Sequence, residues 1–96
     1  MGDRPATVVP EPVRVELARV VQRWRQLPLD QARSGMPQVR AVLARLDPAG
    51  SGPPDLGPAV VMHQLAVLVW DDCAAGGPVP VGELPWLLST LRLALA

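Results

Sequence analysis

The stretch "VVMHQLAVLVWDDC", residues 60–73, decides how the chain is read. It is almost wholly apolar, yet His63, Gln64, Asp71, Asp72 and Cys73 sit in it or at its end. Its flanks settle its form. Pro58 suits a first helical position, and Gly76-Gly77 suits a helix stop, so the segment spans residues 58–75. The β-branched Val60, Val61, Val67 and Val69 favour a strand, but a run of this length between these flanks favours a helix. A membrane span needs about 20 apolar residues. Here the apolar run is only Ala59–Trp70, and His63 and Gln64 interrupt it.

On a helical wheel, Ala59, Met62, Leu65, Ala66, Val69, Trp70 and Cys73 form one unbroken apolar arc. The opposite arc mixes His63, Gln64, Asp71 and Asp72 with Val60, Val61, Val67 and Leu68. A surface helix keeps its outer side polar. The segment is therefore either the central helix of its domain or covered from a second side by another chain.

Working outward, Val13, Leu17, Val20, Val21, Trp24 and Leu27 recur at spacings of three and four, which predicts a helix over 12–27 ended by Pro28. Residues 28–31 read as a single turn stopped by Gly35, and a second helix over 37–46, beginning near Pro37, has Met36, Val39, Val42, Leu43 and Leu46 as its apolar stripe. Residues 47–58, "DPAGSGPPDLGP", hold four prolines and three glycines and read as a long connection that is either mobile or functional. A last helix over 84–95 has Leu84, Leu87, Leu88, Leu91 and Leu95 on one side, with Trp86 and Leu93 opposite. Residues 1–11 read as a flexible arm and 12–96 as a single helical domain. The expected fold is all-α: a small bundle of four main helices with Pro/Gly-rich connections.

Composition narrows the function. Apolar residues make up 49% of the chain and charged residues 19%, which is the globular class. Net charge is zero, so no global field draws the protein to nucleic acid or anionic lipid. All nine basic residues are Arg, a bias expected of a GC-rich bacterial genome. Cys73 is the only cysteine and forms no intrachain disulfide, and no apolar run of signal-peptide length stands at the N-terminus. Both features fit the cytoplasm.

Catalytic and metal chemistry find little support. His63 and Cys73 lie ten residues apart, about 15 Å along a helix, and no second His or Cys completes a ligand set. No phosphate-binding loop or nucleophile elbow is present. We therefore expect no catalytic residues, no cofactor and no metal. Arginines of the first helix are scattered round it, so a dense phosphate-binding patch is not expected and nucleic-acid binding ranks low. Asp71 and Asp72 oppose the helix dipole and call for compensation, either from an arginine on a neighbouring helix or from a basic partner.

The surplus of apolar faces is the strongest functional signal. It predicts a non-enzymatic protein that binds protein, as a homodimeric adaptor, regulator or accessory subunit. The candidate partner-binding residues are Trp86, Leu93, Val60, Val67, Leu68, Asp71 and Asp72. The alternative is a small apolar ligand held between the last two helices, near Trp70 and Trp86.

Overall fold

A computed structural model describes residues 8–95. The described chain forms four α-helices and no strand: α1 (Glu11–Gln26), α2 (Leu29–Leu46), α3 (Pro58–Ala75) and α4 (Leu84–Ala94). A single 3-10 turn, Val81–Glu83, leads into α4. The chain is thus the all-α bundle that its proline-bounded periodic segments predict. Most of the expected N-terminal arm lies outside the described residues. Its last part does not behave as an arm, because Val9 is buried in the core just before α1 starts.

The helices associate chiefly as two pairs, α1 on α4 and α2 on α3, and α2 also packs on α4. α1 buries Val13, Val20 and Trp24. α4 buries four leucines of its expected inner stripe, and the fifth, Leu95, is buried just past its end. Leu84 and Leu88 are wholly buried, and each fully buried leucine contributes about 1.5–3 kcal/mol relative to exposure.

α2 differs from expectation. It is one continuous helix from Leu29 to Leu46 and runs straight through Gly35 and Pro37. Pro37 cannot donate to the carbonyl of Arg33, and an interior proline costs about 3 kcal/mol. Burial offsets that cost, because Ala32 and Met36 continue the buried line of Val39, Leu43 and Leu46 at spacings of four and three. Gly35 serves as a contact point. A Cβ there would stand 2.8 Å from Leu95 Cδ2 and 3.4 Å from Trp24 Cζ3. Its missing side chain lets α1, α2 and the end of α4 meet.

The long connection is held against the bundle. Arg40 Nη2 donates to the carbonyl of Pro53 at 3.3 Å, and Gln64 Nε2 donates to the carbonyl of Pro54 at 3.0 Å. Asp47 accepts the backbone N–H groups of Ala49 (3.0 Å) and Gly52 (2.8 Å), and Asp55 accepts that of Gly57 (3.0 Å). The long connection, expected to be either mobile or functional, is thus tied to α2 and α3 by their own side chains.

Two expected outcomes test these contacts. Gly35→Val should lower unfolding stability by about 1–3 kcal/mol in urea titration, the usual cost of overpacking; an unchanged midpoint would mean the helices can part without loss. Joint replacement of Arg40 and Gln64 by Ala removes two hydrogen bonds of about 1 kcal/mol each. Limited proteolysis should then cut within residues 47–58 about tenfold faster, with the bundle intact by circular dichroism.

Candidate functional site

α3 is the helix on which the expected site depended, and its rotation differs from the wheel reading. The buried line is Val61, Leu65, Val69 and Asp72, with Leu68 packed half-buried beside it. At about 100° per residue, this face lies about 85° round the helix from the expected arc. Ala59 and Trp70, assigned to the inside, are exposed, whereas Val61, assigned to the outside, is wholly buried. The cause is the near-uniform apolarity of α3, which leaves its rotation to be chosen by packing against α2.

Of the seven candidate contact residues, Trp86 (65%), Leu93 (64%) and Val67 (45%) are strongly exposed. Asp71 is exposed, and Val60 and Leu68 are half-buried. Asp72 must be withdrawn as a surface residue, since it is the one buried charged side chain among the described residues.

Asp72 has a structural task. Gly76 ends α3 in the left-handed conformation (φ 64°), and the N–H of Gly77 donates to the backbone carbonyl of Asp72 at 3.1 Å. The Asp72 carboxylate then reaches forward, and Oδ1 accepts the N–H of Val79 at 3.0 Å, itself a core residue. A Cβ on Gly77 would stand 2.6 Å from Oδ1, so a side chain there would block the reach. This clasp fixes the direction in which the chain leaves α3 for α4.

Among the described residues, neither Asp71 nor Asp72 forms the expected pair with an arginine. The ion pairs among the described residues are Arg14–Glu11, Arg19–Glu16 at 2.8 Å and Arg92–Glu16 at 3.7 Å. The last ties α4 to α1 and engages the only arginine of the chain's second half.

Cys73 is half-buried against the core. Burial pushes its thiol pKa up, and the neighbouring Asp72 carboxylate adds to the rise. The thiolate is therefore disfavoured, the reverse of what a nucleophile requires. His63 is exposed, one helical face and several turns away. Among the described residues, no group of three or more His, Cys, Asp or Glu side chains comes together. No described helix is long and apolar enough to cross a membrane.

The pocket expected near Trp70 and Trp86 is not built, because α3 and α4 share no extensive contact and both rings stand largely in solvent. Two grooves lie elsewhere. One, of about 640 Å³, opens between α1, α2 and the start of α3, with Trp24 as its wall. The other, of about 630 Å³, runs between α1 and α4, where Arg19, Arg23 and Arg92 surround Val15 and Leu93. The Trp24 groove escaped the sequence reading because its walls come from three helices. The only signal for it was the proline at residue 28, which brings the end of α1 against the start of α2.

These features define a small all-α bundle with exposed apolar surface. Comparison with protein-family models, with curated proteins and with solved structures finds no match to any of them.

Asp72→Ala should destabilise the protein by about 1–3 kcal/mol by leaving the buried Val79 N–H unpaired, whereas Asp72→Asn keeps the acceptor and should cost less. In thiol labelling, Cys73 should react slowly in the folded protein and faster in denaturant. Asp72→Asn should speed the native reaction, since it removes the negative charge that helps hold the thiol protonated.

Proposed function

We propose that this chain is a non-enzymatic, cytoplasmic protein-binding module that works as a homodimeric adaptor, regulator or accessory subunit. The outward stripe of α4 is its contact surface. One observation carries this reading. Trp86 and Leu93, 65% and 64% exposed, lie seven residues apart on the side of α4 opposite its buried leucines. Seven residues are about two turns, so the two side chains form one patch with a repeat of about 10 Å.

Leaving such side chains in water forfeits about 1.5–3 kcal/mol each compared with burying them. Tryptophan is also among the residues that most often dominate binding energy when an interface closes over it. Pairing of two copies about a twofold axis is the commonest closed arrangement and would cover both stripes at once. Arg19, Arg23 and Arg92 beside Leu93 would then sit at the rim, where guanidinium groups keep their water and pack their stems on apolar neighbours.

Sedimentation equilibrium of the intact chain should show a dimer. Trp86→Glu and Leu93→Glu should each shift it to monomer by at least tenfold in dissociation constant, with helical content unchanged by circular dichroism. A wild-type protein that stays monomeric at high concentration would refute the homodimer.

A further inference from the structure

The groove beside Trp24 is a separate surface from the α4 stripe, and its chemistry points to a different occupant. Its interior is apolar. The Trp24 ring forms one wall and is held in place because Nε1 donates to the carbonyl of Pro58 at 3.0 Å. The small side chains of Ala32 and Ala66 leave the space open, and Met62 lines it with a flexible thioether. Leu29, at the rim, is 57% exposed among the described residues.

Polarity is confined to one sign. Arg25 and His63 are the only charged or ionisable side chains among the lining residues, and no carboxylate joins them. Arg25 takes part in none of the ion pairs among the described residues. A fork of N–H donors with fixed positive charge, standing at an apolar cleft, matches a carboxylate in both geometry and charge. The volume of about 640 Å³ falls within the range of sites that hold small organic ligands. We infer that this groove binds a small amphipathic carboxylate. Its apolar tail lies against Trp24, Met62 and Leu29, and its head is held by the Arg25 guanidinium with an N–H of His63.

This assignment rests on the groove alone and stands whether or not the α4 stripe pairs two copies. The test uses decanoate, kept below its micelle concentration. Replacing the exposed Trp70 and Trp86 by Phe leaves Trp24 as the single fluorophore of the full chain. Decanoate should change its emission saturably, with one site per chain. Decanol and decylammonium, which have the same tail but no anion, should bind at least tenfold more weakly. Arg25→Gln should weaken decanoate about tenfold, and Ala66→Phe, which fills the groove, should abolish binding without loss of helical content. Ala59→Leu provides a second filling variant at an exposed position, should the first disturb the fold. Absence of saturable binding would overturn the assignment. So would equal affinity for decanoate and decylammonium, affinity unchanged in both Arg25→Gln and His63→Gln, or full binding by a folded groove-filling variant.

Discussion

The bundle turns on Trp24. Its indole N–H donates to the carbonyl of Pro58, and its ring lies close to the bare backbone of Gly35, which also meets Leu95. One side chain of α1 therefore touches the start of α3 and the crossing of α2, beside the end of α4. A buried tryptophan combines a large apolar area with a donor that must be satisfied, and the carbonyl of Pro58, in the first turn of α3, satisfies it. The same ring walls the groove between α1, α2 and the start of α3, so the residue that joins the helices also shapes the cleft between them.

Polar side chains in this apolar chain act mainly on the backbone. Asp72 clasps the Val79 N–H across a pair of glycines, Arg40 and Gln64 hold the proline-rich connection, and Asp47 and Asp55 organise its turns. Each fixes a connection between helices and not a helix itself. That division has a physical basis. The helices are stabilised by leucine and valine packing, whereas the connections hold many prolines without an N–H to donate and so lean on side chains for their hydrogen bonds. Asp72, Arg40 and Gln64 are thereby engaged within the fold.

Two such surfaces stand apart. The α4 stripe carries the exposed Trp86 and Leu93, while the Trp24 groove is concave and has Arg25 and His63 as its ionisable lining. Exposed aromatic surface is the kind that protein interfaces cover, and a cleft of this size is the kind that holds a small ligand.

By itself the sequence determined the helical class, the extent of α1, α3 and α4, and the inner face of α4. The prolines and glycines that bound these segments act locally, and the buried leucines of α4 leave its inner face no alternative. The outward position of Trp86 and Leu93 was legible for the same reason. Tertiary structure alone decided the rest. It carried α2 through Gly35 and Pro37, because burial of Ala32 and Met36 outweighs a local helix-breaking preference. It also chose the rotation of α3, whose apolar residues surround it on all sides and so name no face. That rotation took Asp72 into the core, where its partner is a backbone N–H seven residues further on. Side-chain periodicity carries no record of such a bond, since a carboxylate's need for a donor can be met by any N–H the fold brings within reach.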